Sequence, residues 1–595
     1  MFQTFTAQSS PDQGPPRLAA LRKRMAQSGV DGFVVPRADA YQGEYVAQRD
    51  ARLQWLTGFS GSAGFCVVLP DLAGIFIDGR YRLQVRSEVA DVFTPVNWPE
   101  TRLPDWLPDH MRDGAVLAYD PWLHTVSEIN ELREALPNII LQPVDNLVDA
   151  IWDDQPPPPD APFSLHPIEH AGETHSDKRE KLAKELRVDS VVLTLPDSIA
   201  WLLNIRGADI ARNPVPHAFA LLHRSGKVDL FAGPGKTRDI EDHLGADVTP
   251  HDIGVFLEHL AALAGTVQID PKSCPDIVAS TLRTAEVTIS EARDPCILPK
   301  ARKNPVEIAG AKAAHERDAV AMVRFLAWLD ATAPKGTLTE IDVVRALETF
   351  RVQTNALRDI SFETICGAGP HGAIVHYRVT EQTNRMIAPR ELLLVDSGGQ
   401  YVDGTTDITR TITIGTPTQD QRACYTRVLQ GMIAISRVRF PKGIAGQHLD
   451  ALARAPLWLA GQDYDHGTGH GVGSYLSVHE GPQGLSRRSE VPLEPGMILS
   501  NEPGYYREDA FGIRIENLIV VTPAPALPGA DPAREMLAFE TLTHVPMDRR
   551  LIDPDILTSA ERGWIDRYHA DTFALLGSRL DEPTRAWLQE ACAPL

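Results

Sequence analysis

Five side chains in the last third of this 595-residue chain could do chemistry together: Asp396, Asp407, His470, Glu502 and Glu516. Four carboxylates and one imidazole cannot share a small volume unless cations neutralise them. Two divalent ions would cancel the four negative charges. A metal pair about 3.5–4 Å apart can hold a hydroxide and clamp both sides of a displacement. Singly, each residue has a plainer reading. Asp396 in Val395-Asp396-Ser397-Gly398 and Asp407 after Asp403-Gly404 also fit turn formers. His470, in the glycine-rich run His466 to Gly473, also fits a structural histidine, and Glu502, before Pro503-Gly504, an exposed loop acid. The weight lies in the set: all five occur in order between 396 and 516, beside glycines that let the backbone approach closely.

Strands must position these groups. Leu392-Leu393-Leu394-Val395-Asp396 reads as a buried strand ending in a carboxylate, and Thr409 to Ile414 alternates as a half-buried strand does. With Asp403-Gly404 supplying turn chemistry between them, an antiparallel pair is expected, Asp396 and Asp407 facing one site from opposite strands. Gly512 to Leu518 reads as a further strand, with Arg514 and Glu516 on one face and Ile513 and Ile515 on the other. A carboxylate beside an arginine there suggests a ligand with a supporting partner; the alternative is a surface ion pair.

The length requires more than one core, and three or more domains are expected. The proline run Pro156–Pro159 is stiff and cannot donate backbone hydrogen bonds, which marks a linker. A second boundary falls near Lys300–Lys303. Directly after it, Asn304-Pro305-Val306-Glu307 supplies an N-cap, a proline at the first helical position and an acid two further on. The helix it starts carries Ile308, Ala311, Met322, Phe325 and Leu329 at helical spacing and is expected to run to about Asp330. The expected domains are 1–160, 161–303 and 304–595. The first two look like a duplication. Asp31-Gly32-Phe33-Val34-Val35 followed by Trp55-Leu56-Thr57-Gly58-Phe59-Ser60-Gly61 is matched by Asp189-Ser190-Val191-Val192-Leu193 and Trp201-Leu202-Leu203-Asn204-Ile205-Arg206-Gly207. Each reads as α/β with a mixed sheet.

A formal charge of −21 argues against nucleic acid and anionic membranes as partners and is compatible with cations and with the amine end of a peptide. Six cysteines are scattered without CxxC spacing, which points to a reduced chain with neither a zinc ribbon nor a disulfide framework. Met1 to Thr6 lacks a basic stretch followed by an apolar core, and no run is apolar enough to span a membrane, so the expected location is cytoplasmic.

The ordered set of five resembles the metallopeptidase family M24, which contains methionine aminopeptidase, prolidase and aminopeptidase P and is built on the pita-bread fold. The words around the ligands sharpen the likeness. Val395 to Thr411, His466 to Gly481, Asn501-Glu502-Pro503-Gly504-Tyr505-Tyr506 and Ala510 to Asn517 look like the cytosolic, three-domain form of aminopeptidase P, as do Gly79-Arg80-Tyr81 and Leu551-Ile552-Asp553. The resemblance implies an α/β (α+β) chain of two creatinase-like N-terminal α/β domains followed by a pita-bread catalytic domain with a C-terminal extension.

It also implies roles. Asp396 holds one metal with both oxygens, Asp407 and Glu516 bridge the pair, and His470 and Glu502 complete the other. An oxygen-rich site with one nitrogen suits Mn²⁺, two per subunit, with Co²⁺ or Zn²⁺ able to take the same ligands. A hydroxide shared by the ions attacks the scissile carbonyl, and Glu502 also shuttles a proton. His376 and His479 hold the substrate carbonyl and stabilise the oxyanion, His466 shapes the pocket, and Arg514 orients the bridging carboxylates. Arg80 reaches the substrate, from its own subunit or across a homodimer. The implied reaction releases the N-terminal residue from peptides with proline second. The near alternative is prolidase, acting on Xaa-Pro dipeptides; three domains favour aminopeptidase P, and the length before the catalytic region disfavours methionine aminopeptidase. A non-catalytic binding module on the same fold, or a metal-free creatinase-like hydrolase, is opposed by the intact ligand set.

Overall fold

The computed structural model describes residues 1–7 and 10–595. The chain forms two compact units: Met1–Ala7 with Leu298–Leu595, and the chain between them.

The intervening unit holds two six-stranded mixed sheets of one topology. Numbering each sheet's strands in chain order, both run 4-3-2-1-5-6. Gly32–Pro36 is strand one of the first sheet and Ser190–Leu193 strand one of the second. The matched turn words have one function. Helix Arg52–Thr57 stops at Gly58 with φ 88°, and helix Pro196–Leu203 stops at Asn204 with φ 52°. Both caps are left-handed, which glycine and asparagine tolerate. The equivalent turns Asp120–Thr125 and Asp270–Pro275 meet each other, Thr125 pairing with Pro275 and Val126 N–H donating to Cys274 O. One apolar core gathers around Phe33, Leu56, Phe59 and Ile75; the other, around Val192, Phe219, Phe231 and Ile269, also takes in Val126 from the first half. Arg80 lies here, in the turn Gly79–Tyr81, its guanidinium paired with Asp78 at 2.7 Å.

In the other unit, Asn304 caps helix Pro305–Thr332, its side chain accepting from Val306 N–H and Glu307 N–H while Glu307 accepts from Asn304 N–H. The apolar stripe of that helix, Met322, Phe325 and Leu329, packs in one core with Leu393, Leu394, Val395, Ile408 and Ile412. Strand Leu392–Ser397 is buried throughout and pairs antiparallel with Ile365–Ala368 on one side and Ile408–Thr413 on the other. A six-stranded sheet carries, side by side, Asn517–Pro523, Ile498–Asn501, Gly469–Gly471 and Glu480–Leu485. Met1–Ala7, placed by the sequence in the first domain, packs with this unit.

Three local expectations change. Strand Ile408–Thr413 is buried on both faces rather than half-buried, because its polar side chains have internal partners. Thr411 Oγ1 donates to Arg514 O at 2.9 Å, and Thr409 Oγ1 to Glu516 at 2.9 Å. A small hairpin, Gly399–Tyr401 with Gly404–Thr405, stands between the two site strands where a bare turn was expected. The run 512–518 is two strands in different sheets, Phe511–Arg514 pairing with Gly504–Arg507 and Asn517–Pro523 with Ile498–Asn501. Ile513 and Ile515 still bury in one core, and Glu516 sits at the break between the sheets. All six cysteines are buried free thiols. No helix among the described residues is long and apolar enough to cross a membrane.

Candidate metal centre

The antiparallel register sets Asp396 opposite Thr409 and Ile365, at the end of a strand with a wholly apolar start. Asp407 immediately precedes the partner strand. Glu516 is fixed by its backbone N–H, which donates to Thr409 O at 3.1 Å, and by Thr409 Oγ1 on its carboxylate. His470 lies in strand Gly469–Gly471, where glycine is required: a Cβ on Gly469 would fall 2.0 Å from Ser500 O and one on Gly471 2.3 Å from Glu480 O. Glu502 follows strand Ile498–Asn501, and its N–H donates to Thr468 O at 2.8 Å.

These elements bring all five groups together. Ligand atoms of Asp407, His470 and Glu516 lie within 4.8 Å of one another. His470 Nε2 is 3.5 Å from Asp407 Oδ2 and 3.6 Å from Glu502 Oε1. Arg514, fully buried, donates to Asp396 Oδ2 at 2.6 Å and lies 3.9 Å from Glu502 Oε2. His470 Nδ1 faces Gly471 O at 2.8 Å, which makes Nδ1 the protonated nitrogen and turns the Nε2 lone pair to the carboxylates.

The electrostatics fit a cation site. Burial first, then repulsion from Asp396 and Glu502, raises the Asp407 carboxyl far above the usual carboxylate range. Glu516 is raised in the same sense by burial, then by Asp407, Glu502 and Asp396. Arg514 opposes both shifts, but one guanidinium does not offset four carboxylates. Asp396 Oδ1, Asp407 Oδ1 and Glu516 Oε1 are buried with no hydrogen-bond partner among the described residues. Buried acceptors left this way cost free energy unless a ligand satisfies them. The donor set of four carboxylates and one imidazole, with open inward oxygens, fits divalent cations.

Three further expected residues, His479, His376 and His466, connect to this cluster through its neighbours, whereas Arg80 lies in the other unit. The His470 and His479 rings are 4.2 Å apart at 70°. His376 follows Val375, whose carbonyl accepts from Arg514 at 3.3 Å. His466 Nε2 is 2.9 Å from Tyr506 Oη, which also accepts from Arg514 Nη1 at 2.6 Å. Tyr506 went unrecognised in the sequence although the motif contains it. Burial pushes its phenol up to about 12, so it stays protonated and donates to His466 while accepting from Arg514. Pairing of Gly504–Arg507 with Phe511–Arg514 sets Tyr506 opposite Gly512, whose own Cβ would collide with Gly372 O at 1.7 Å. Arg410 was missed as well. It is buried and donates to Glu516 O at 2.6 Å, Asn517 Oδ1 at 2.8 Å and Val545 O at 2.7 Å, holding the backbone that carries Glu516.

Known proteins resemble this chain over nearly its whole length. The model for metallopeptidase family M24 matches residues 309–523, and that for its C-terminal region residues 535–595. Models for the creatinase/prolidase N-terminal domain match 17–151 and 154–307. A probable Xaa-Pro aminopeptidase P of Neosartorya fischeri is 38% identical over 97% of this chain and 92% of its own length. The chain belongs to the Xaa-Pro aminopeptidase P family of M24 metallopeptidases. Aminopeptidase P2 of Arabidopsis thaliana is 37% identical over 97% of this chain and 88% of that protein. An X-prolyl aminopeptidase of Caenorhabditis elegans, described as a cytosolic enzyme with a di-nuclear active site, superposes with a TM-score of 0.92 at 32% identity, covering 98% of this chain and 99% of that one. An Xaa-Pro dipeptidase of Bacillus anthracis shares the fold at a TM-score of 0.51 and 22% identity, covering 63% of this chain and 98% of its own.

Proposed function

We propose that this chain is a metal-dependent aminopeptidase that releases the N-terminal residue from peptides with proline second. The observation that carries the reading is the convergence of Asp396, Asp407, His470, Glu502 and Glu516 around buried, unsatisfied oxygens. Asp396, Asp407 and Glu516, with His470 and Glu502, would hold two divalent ions, Mn²⁺ by the balance of oxygen to nitrogen donors. When bound, the pair supplies Lewis acidity and a water of lowered pKa.

The chain's own groups supply the rest. Arg514 holds Asp396 by one oxygen and leaves Oδ1 turned inward. His479, against His470, and His376, beside the Arg514-bound Val375, are proposed to donate to the substrate carbonyl and to the oxyanion that forms from it. His466 is set by Tyr506 with Nδ1–H on Gly467 O at 2.7 Å, which presents a fixed imidazole to the pocket wall. Arg80 is proposed to contact the peptide. An Xaa-Pro bond is a tertiary amide without an N–H on the leaving side. A site that recognises the free amine and the carbonyl does not need that N–H. We further propose a cytoplasmic homodimer whose domains divide at 160 and 303.

The test is hydrolysis of Arg-Pro-Pro and Ala-Pro by the Mn²⁺-loaded chain. Release of arginine from the tripeptide is expected. Turnover of the dipeptide alone would make the chain a prolidase.

A further inference from the structure

Residues Met1–Ala7 pack on the unit that bears the metal centre, and their contacts are not spread evenly over it. Gln3 is 3% exposed, and its side chain takes both backbone groups of one residue: its Oε1 accepts from Thr364 N–H at 2.8 Å and its Nε2 donates to Thr364 O at 3.3 Å. A single amide thus does what a neighbouring strand would do. Thr364 leads directly into strand Ile365–Ala368, in which Ile365 pairs with Asp396.

The next contacts reach the segment of His376. Arg378 donates to Thr4 O at 3.0 Å and, through Nε, to Glu363 at 2.8 Å. Glu381 N–H donates to Phe5 O at 2.8 Å. The Phe5 ring is buried in the core that contains Ile365, Tyr377 and Val379. The other end is tied down by Glu348, nearly fully buried in helix Glu340–Val352, whose carboxylate accepts from Phe2 N–H at 2.6 Å and Gln3 N–H at 3.2 Å.

We infer that Phe2–Phe5 is a positioning strap: through Thr364 and Arg378 it fixes the strand opposite Asp396 and the segment bearing His376 relative to each other. Gln3 and Arg378 are positioning residues and touch neither substrate nor ions. The inference rests on the peptidase reading, in which His376 meets the substrate. A donor that must meet a developing oxyanion tolerates little displacement, and misplacement by an ångström from a distant change can cost about 100-fold. The strap bonds to these two segments and to Glu348, so its loss is expected in turnover as well as in stability.

The experiment combines steady-state kinetics on Arg-Pro-Pro with amide hydrogen exchange by mass spectrometry, on the full Mn²⁺-loaded chain. Gln3→Ala is expected to lower kcat by about 10-fold with KM and bound Mn²⁺ unchanged, to lower the melting temperature because Thr364 N–H and O lose their buried partner, and to speed exchange in peptides covering 361–368 and 374–382 only. Gln3→Met keeps the length and bulk of the side chain but makes neither bond to Thr364, and is expected to match Gln3→Ala in kcat; it also serves if the alanine variant does not fold. A kcat within twofold of wild type in both variants, or exchange at 361–368 unchanged, would overturn the strap. An inactive wild-type chain would count against the peptidase reading instead, while the exchange data would still decide whether Gln3 holds Thr364.

Discussion

The Arg514 guanidinium makes four hydrogen bonds. It bonds Asp396 Oδ2 and the Tyr506 phenol at 2.6 Å each, Thr409 Oγ1 at 3.2 Å and Val375 O at 3.3 Å. The Asp396 carboxylate, the partner of His466 and the segment of His376 are therefore oriented by one guanidinium. Losing such a supporting group typically costs about 10–100-fold in metal affinity or activity. Arg514→Gln is expected to fall in that range, read by Mn²⁺ titration and kcat/KM; wild-type affinity and rate together would show that the carboxylates orient themselves. His479→Ala should behave differently: kcat lower by about 10²–10³-fold with Mn²⁺ retained. Loss of metal in that variant would make His479 a prop for His470 instead of an oxyanion donor. The five candidate ligands were legible as a set in the sequence because carboxylates and an imidazole beside glycines announce their chemistry locally. Tyr506, Arg410 and Gln3 were not, because their meaning lies in partners far along the chain: Tyr506 with His466, Arg410 with Glu516, Gln3 with Thr364.

At the scale of elements, the buried strand ending in Asp396, its antiparallel partner and the capped helix from Pro305 could be read from apolar runs and cap residues. The alternating pattern over 512–518 misled, because a strand that changes sheets keeps its alternation while its neighbours change. Nor does the sequence announce how the histidine strand is held from behind. Glu480, next to His479, is buried between Lys303 and Lys300, the latter 2.9 Å away. Two positive charges on one acid stay buried only because all three meet. Helix Ser559–Leu576 gives a pH test of its own. Burial, with Arg549 and Arg410 nearby, pushes the His569 imidazole down to about 4, and its Nε2 accepts from Met547 N–H at 3.1 Å. The unfolded chain takes up the proton first, near the ordinary histidine value of about 6.5. The stability from neutral His569 is therefore complete above about pH 6.5 and is lost as pH falls toward 4, a change of about 3 kcal/mol at most. Denaturant unfolding at pH 7 and pH 5 should show wild type losing more stability than His569→Gln. Equal losses would place the acid sensitivity elsewhere.

At the scale of the whole molecule, the two N-terminal sheets repeat one topology, and the matched sequence words fall at strand one and at a left-handed helix cap in each. The duplication was readable because cap residues and short apolar strands recur at matching places. The packing of residues 1–7 with the metal-bearing unit was not, since a short polar segment carries no period to read. The ionic balance spans the catalytic body. Arg514 pairs with Asp396 and lies near Glu502, and inward oxygens of Asp396, Asp407 and Glu516 lack hydrogen-bond partners among the described residues. Bound ions should therefore stabilise the fold as well as enable turnover, by about 2.7 kcal/mol at 100 times Kd. Equilibrium dialysis against Mn²⁺, followed by metal counting per chain, meets that claim most directly. Two ions per wild-type chain are expected, with loss of binding in Glu516→Ala. A folded wild-type chain that holds none, or a Glu516→Ala chain that still holds two, would contradict it.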